Sequence, residues 1–292
     1  MEKVTFINSL GEPIEFAQSA PLILQRIGGT GGLNYNIQKE KSPYQDGSSF
    51  VNMDADDRDI PIQVALLGSQ AEVFQAKRDI QRIINPSLEK GYLVYQNSLF
   101  EKRIPVYVDG SASYAAGDRS KGQDYQIASL SFVALEPFWN DISPFIEFLT
   151  RVTPLFHFKL DIDIDSEGIE FGTYTDSIAD INNDGDVEAP LRFEFRGPVV
   201  NPVLTNQTTG EFISLITPLL ADETMIITTD FGNKRAEIHK DDGTIINAFQ
   251  YLDLASTFFQ LQRGQNKLIF DAAEGSTDAT ILITYNKRYI GL

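Results

Sequence analysis

The stretch Glu136-Pro-Phe-Trp-Asn-Asp141 holds the only tryptophan of the chain and separates two styles of sequence. Just before it, Tyr125-Gln-Ile-Ala-Ser-Leu-Ser-Phe-Val-Ala-Leu135 alternates apolar and polar residues at the period of a half-buried strand. Pro137 has no N–H to give to a ladder, so the strand stops there. Beyond it the sequence becomes acidic, turn-rich and all-β in character up to Leu292.

A chain of 292 residues accommodates about two domains of roughly 150 residues each, and 42% hydrophobic residues supply a core to both. The 24 basic residues face 41 acidic ones, a net charge of −17. That balance excludes a surface built to grip nucleic acid, which needs clustered lysine and arginine. It suits an acidic passage that a duplex slides through. With no cysteine, disulfides, zinc–thiolate sites and thiol nucleophiles are excluded together. The N-terminus carries no basic segment followed by an apolar one, and no run nears the ~18 apolar residues of a membrane span. The expectation is a soluble protein with no membrane insertion and no cofactor.

On the N-terminal side, Val4–Ile7 and Ile14–Phe16 read as a hairpin around a turn with Gly11 and Pro13. Leu22–Ile27 reads as a further strand. Gly28-Gly-Thr-Gly-Gly32 looks like a phosphate cradle, but neither the Gly-Lys-Ser/Thr continuation nor a following helix is there, so it reads as a turn or hinge. Residues 34–58 read as an extended arm or long loop, and Asp59–Leu67 as a strand. The clearest helix runs from Ser69 to about Asn85: Ser69 and Glu72 form a capping box, and Val73, Ala76, Ile80, Ile83 and Ile84 share one face. Strands resume at Gly91–Tyr95 and Lys102–Val108. Residues 1–141 are thus expected to form an α+β domain, a curled antiparallel sheet or split barrel with one helix.

Residues 142–187 form an aromatic and acidic connection too apolar for a free linker, within which Phe156–Asp165 alternates strictly. From 188 to 292 short strands recur between turn signals: Leu191–Phe195, Pro202–Thr205, Glu211–Ile216, Met225–Thr229, Ala236–His239, Leu268–Phe270 and Thr280–Tyr285. With no helix among them they point to an all-β sandwich of the jelly-roll type.

Catalytic chemistry finds little purchase. His157 lies on the outward face of an alternating strand and His239 precedes an Asp-Asp-Gly turn, neither with a nucleophile or orienting carboxylate at motif spacing. Asp180, Asn182, Asp184, Asp186 and Glu188 fall at the spacing of a calcium loop, with Gly185 in its place. Leu191 stands where a bidentate acid is needed, so an acidic turn explains them as well. The acids Asp161, Asp163, Asp165 and Glu167 follow from strand alternation. No carboxylate pair stands out for glycoside hydrolysis.

The order of features, more than any one motif, resembles the distal tail proteins of siphophages and of prophages in Gram-positive bacteria. The resemblance spans nearly the whole chain. It rests on Leu135–Asp141, Asn183–Pro190, Gln45-Asp-Gly47 ahead of Arg58-Asp-Ile-Pro-Ile62, Phe195–Pro202, Leu261–Leu268 and the terminus Thr284–Leu292. The connection 142–187 is longer than the family pattern. The resemblance implies a non-enzymatic structural hub in the virion tail tip, assembled in the bacterial host cytoplasm. It implies a homo-hexameric ring between the tail tube protein and the tail-tip hub or tail-associated lysin, with DNA passing through the lumen. It further implies a galectin-like or carbohydrate-module-like sandwich at the C-terminus that carries a receptor-binding protein. On this reading Gly28, Gly32, Tyr44, Asp46 and Gly47 are ring contacts, and Pro137, Phe138 and Trp139 mark the inter-domain junction. The alternative is a saccharide-binding protein that acts through stacked Phe249, Tyr251, Phe258 and Phe259 on host cell wall; the phenylalanines serve equally well as core.

Overall fold

The computed structural model describes residues 2–292 except 116, 118–120, 123, 150–151, 154–172, 175–177 and 276–278. The expected strand Phe156–Asp165, with His157 and the acids up to Glu167, lies outside the described residues. The protein is mostly β, with several sheets and a single α-helix among the described residues. Contacts divide the chain into two units, Met1–Ile142 with Arg288–Leu292, and Ser143–Lys287. The expected second domain running to Leu292 is corrected accordingly: the chain returns to the first unit for its last residues.

The first unit contains β1 (Lys3–Ile7), β2 (Pro13–Phe16), β3 (Leu22–Ile27), β4 (Tyr35–Glu40), β5 (Ser49–Ala55) and β6 (Arg58–Leu67). The helix α1 (Gln70–Ile83) follows, then β7 (Gly91–Gln96), β8 (Glu101–Val108), β9 (Ser113–Tyr114), β10 (Tyr125–Ala134) and β11 (Trp139–Asp141). The main sheet runs β2-β1-β7-β8-β10-β6-β3, and its two end strands meet through a bridge between Ala17 and Ile23. The sheet is therefore curled on itself. Its inside is set by alternation: β6 and β10 pair over their full length, bringing Ile60 opposite Phe132, Ile62 opposite Leu130 and Val64 opposite Ala128, all buried. Phe6 packs on Phe132 with ring centroids 5.0 Å apart.

Helix α1 starts at the expected capping box, in which the Glu72 backbone N–H donates to Ser69 and the Glu72 carboxylate accepts from the Ser69 backbone N–H. Its face of Ala76, Ile80 and Ile83, with Ile84 after it, joins the core inside the sheet. The segment expected as an arm or long loop is instead an antiparallel hairpin, β4 with β5, forming a two-stranded sheet of its own.

The second unit contains β12 (Phe145–Phe148), β13 (Val152–Thr153), β14 (Thr173–Tyr174), β15 (Ile178–Asn183), β16 (Leu191–Arg196), β17 (Val199–Val200) and β18 (Val203–Asn206). It continues with β19 (Glu211–Ser214), β20 (Pro218–Leu219), β21 (Glu223–Thr228), β22 (Arg235–Lys240), β23 (Ile245–Asn247), β24 (Gly264–Asp271) and β25 (Thr280–Tyr285). A six-stranded sheet, β12-β25-β16-β21-β22-β23, and a four-stranded one, β15-β24-β18-β19, share one core. Phe193 and Phe195 from the first meet Leu204 and Phe270 from the second, Phe195 and Phe270 with centroids 5.8 Å apart.

At one corner Glu223 is buried and accepts from Lys240 Nζ at 2.8 Å and from the Leu220 N–H at 3.0 Å. Those two donors, Lys240 first, hold its carboxyl below the ordinary 4.5. A depressed folded-state pKa stabilises above the unfolded value and loses that stabilisation as pH falls through it. The second unit should therefore lose thermal stability as the pH drops from neutral to below 4.5. Glu223→Gln should remove about 1 kcal/mol of stability at neutral pH and flatten that acid limb, as calorimetry from pH 3 to 7 would show.

Candidate functional site

Arg58 opens β6 in phase with the inward-facing Ile60, Ile62 and Val64, and its side chain points the same way. It is only 4% exposed. Its Nε donates to the Pro137 carbonyl at 2.7 Å, one Nη to the carbonyls of Gly29 and Gly31, the latter at 2.9 Å, and the other Nη to the carbonyl of Ile290. One planar guanidinium thus ties together the glycine-rich turn, the segment before Trp139 and the C-terminal tail. Burial lowers its pKa from the ordinary guanidinium value. It remains a cation at neutral pH.

The glycine turn therefore works in the opposite sense to a phosphate cradle. A cradle converges N–H groups on an anion; this turn converges carbonyls on a cation. Gly29 O also accepts from Trp139 Nε1 at 3.3 Å, and Thr30 O from the Leu292 N–H at 2.9 Å. Gly29 has φ +71°, and a Cβ there would lie 2.6 Å from Asp59 O, so only glycine fits. The Gly28 N–H donates to Pro61 O at 2.8 Å. Gly32 faces open space.

Trp139 is completely buried, its ring edge-on to Tyr95 at 6.4 Å. With Pro137 buried and Phe138 under the Arg288 guanidinium at 5.6 Å, the expected junction residues belong to the first unit, and the boundary falls after Ile142. β11 pairs with β8 on one side and with the last strand, Arg288–Tyr289, on the other. Asp141 anchors that strand, accepting from Lys102 Nζ at 2.5 Å and from the Tyr289 hydroxyl at 3.2 Å, while Lys102 lies 3.5 Å from the Tyr289 ring centroid.

Beside this clasp stands the β4–β5 hairpin. Every residue of β4 and all of β5 but Ala55 are exposed. The register puts Tyr35 opposite Ala55, Ile37 opposite Met53 and Gln38 opposite Asn52, then shifts so that Lys39 faces Phe50. Without that bulge Phe50 would fall opposite Glu40, on the other side. The bulge keeps Phe50 with Ile37 and Met53 on one apolar face. On the polar face Gln38 and Asn52 both donate to the Asp54 carboxylate. Phe50 is 67% exposed and Ile37 57%. At the tip, Tyr44 is wholly exposed at φ +64° and Gly47 is at φ +80°, with Asp46 between them. Of the residues expected to make ring contacts, Tyr44, Asp46 and Gly47 are thus together at the hairpin tip, while Gly28 and Gly32 lie at the glycine turn.

The remaining expectations separate. Asp180 and Asn182 lie in β15, opposite Lys267 and Gln265 of β24, so the calcium-loop spacing is corrected to an extended strand and its exit. Asp184 pairs with Lys287 at 2.5 Å, Glu188 accepts from Gln262 at 2.7 Å, and Asp186 is exposed. Among the described residues, no group of three or more acids and histidines is placed to hold a metal ion. His239 Nε2 lies 3.0 Å from Glu237 on β22. Of the aromatic candidates, Phe259 is core. Phe249 stacks on Phe258 at 5.8 Å, and Lys234 sits 5.5 Å from the Phe258 centroid and 5.3 Å from that of Phe231. Tyr251 is partly buried against the core.

Arg58 and the hairpin's apolar face escape sequence reading to different degrees. Arg58 falls in the inward phase of its strand, a usable signal. The hairpin's bulge hides its alternation.

Comparison with known proteins follows the same division. Residues 9–133 match the profile of the phage tail protein RIFT-related domain, and residues 184–289 that of the siphovirus-type tail component, C-terminal domain. The fold is similar to that of phage SPP1 Dit, a hub of the adsorption apparatus in phages infecting Gram-positive bacteria. That match has a TM-score of 0.66 and 10% identity, and covers 98% of each chain. It is also similar to a chain of the phage P2 baseplate in its activated conformation with Ca, with a TM-score of 0.51, 14% identity and coverage of 97% of this chain and 98% of that one. No curated protein matches the sequence.

Proposed function

We propose, for a chain that belongs to the siphophage distal tail protein family, that it builds the tail hub as a homo-hexameric ring. In this reading the first unit continues the tail tube, meets the tail-tip or lysin hub on its other side, and leaves a lumen through which DNA passes. The second unit is a galectin-like sandwich that carries a receptor-binding protein. Assembly takes place in the host cytoplasm and the product resides in the virion tail tip. The role is structural rather than catalytic.

The observation that carries this is the hairpin. A lone two-stranded sheet is marginal in water, and this one keeps Ile37, Phe50, Val51 and Met53 in solvent. Such a face is stable and soluble when another protein surface covers it. The net charge of −17 supports a passage that does not hold DNA.

The test is native mass spectrometry of the full chain beside Phe50→Asp. The wild type should assemble near six times 32.6 kDa. Losing a buried Phe contact costs about 1.5–3 kcal/mol, so Phe50→Asp should weaken association at least about tenfold at each contact. A wild type that stays monomeric at every concentration, or a variant that assembles as well as wild type, would count against this reading.

A further inference from the structure

We propose that Asp46-Gly47, at the apex of the β4–β5 hairpin, is a self-modification site, where Asp46 closes to a succinimide and reopens as isoaspartate. The Gly47 backbone nitrogen attacks Asp46 Cγ, and the carboxyl hydroxyl leaves with the amide proton as water. Water then adds at the Asp46 backbone carbonyl carbon and breaks its bond to the Gly47 nitrogen. The main chain now runs through Cβ and Cγ, and the former backbone carbonyl is a free carboxylate. Nothing is oxidised or reduced, and composition returns to that of the starting chain. The reaction needs only these two residues and water, so it does not depend on the ring reading.

The sequence holds four Asp-Gly pairs, and in each the glycine has no Cβ to obstruct the attack. The fold treats them differently. At 184–185 the Gly185 N–H donates to Asn183 Oδ1 at 3.1 Å and Asp184 is paired with Lys287. At 242–243 the Gly243 N–H donates to Lys240 O at 2.9 Å, and Asp242 accepts from the Thr244 N–H at 2.8 Å. Asp109, ahead of Gly110, is held to Ser131 by its own N–H at 2.9 Å and by its carboxylate at 3.4 Å.

At the apex the hydrogen bonds pass the pair by. Gln45 accepts from the Ser42 N–H at 3.1 Å and donates to Ser49 Oγ at 3.2 Å, which pins the two sides of the loop together. Asp46 and Gly47 are exposed and take part in none of these bonds. Gly47, at φ +80°, faces open space. Nucleophile and carboxyl are therefore both uncommitted here, and loop apices are where such change concentrates. The product lengthens the backbone between Gln45 and Ser49 by a methylene.

The test is to age the full-length protein at neutral pH, folded and in urea, then digest it, separate the isomeric peptides and label them with isoaspartyl methyltransferase. In the folded protein the 46–47 peptide should accumulate isoaspartate at least about tenfold faster than the 184–185 and 242–243 peptides, whose two polar contacts must first be given up. In urea that difference should collapse. Asp46→Glu, which would need a larger ring, should remove the apex signal and leave the other peptides unchanged. A folded apex that converts no faster than the other pairs overturns the proposal. So does an advantage that persists in urea, or an apex signal that survives Asp46→Glu.

Discussion

Arg58→Ala is expected to lower the stability of the first unit by at least about 3 kcal/mol, because several buried carbonyls lose a charged donor at once. The carbonyls of Gly29, Gly31, Pro137 and Ile290 all point at the guanidinium. Water cannot follow them into a position so little exposed without opening the turn. The thermal transition of a unit this size should fall by roughly 10 °C. Trp139, the only tryptophan, belongs to the first unit, so its fluorescence follows this transition without interference from the second. Arg58→Lys should recover part of the loss, since an ammonium offers its donors from one point and cannot reproduce the planar fork. An unchanged fluorescence transition in Arg58→Ala would show that the clasp does not hold the unit.

Trp139→Ala should cost about 3–5 kcal/mol, the range for truncating a large buried aromatic residue. The side chain has no exposed surface, abuts Tyr95 and donates to Gly29 O. A cavity would remain, and Gly29 O would keep Arg58 as a donor but lose the indole N–H. Trp139→Phe separates the two contributions: it keeps most of the volume and should lose only about 1 kcal/mol for the missing N–H. Circular dichroism during thermal unfolding is the readout, as these variants have no tryptophan. If Trp139→Ala were as mild as Trp139→Phe, the ring would not be part of the core.

The strands that could be read from the sequence are those whose partners let alternation run uninterrupted. β6 and β10 are the clearest, along with the capped α1, because half of each faces the core and the other half does not. β15 is hidden by its polar residues: it pairs with a strand on one side only, and Asp180 and Asn182 occupy its exposed positions. In β5, Phe50 and Val51 stand side by side at the bulge, which breaks the period of two and makes the segment resemble a loop. The clasp was harder still. β11 and Arg288–Tyr289 are too short to carry a pattern, and each is held by a partner distant in sequence. The acidic balance and missing cysteine narrowed the function class, and the order of motifs pointed to the family. The assembly surface depends on what is left uncovered, which becomes visible only once the sheets are paired.

The second unit enters after Ile142 and leaves before Arg288, on two strands that pair with each other through Asn140 and Arg288. Its two ends therefore emerge side by side from a host sheet that is complete without it. This is the arrangement of an exchangeable cassette. A different domain with neighbouring termini, spliced at these two points, would leave the Arg58 clasp and hairpin untouched. Recombination at these two points would exchange the second unit and keep the first. A protease cut at either crossing would leave the cassette attached by the other.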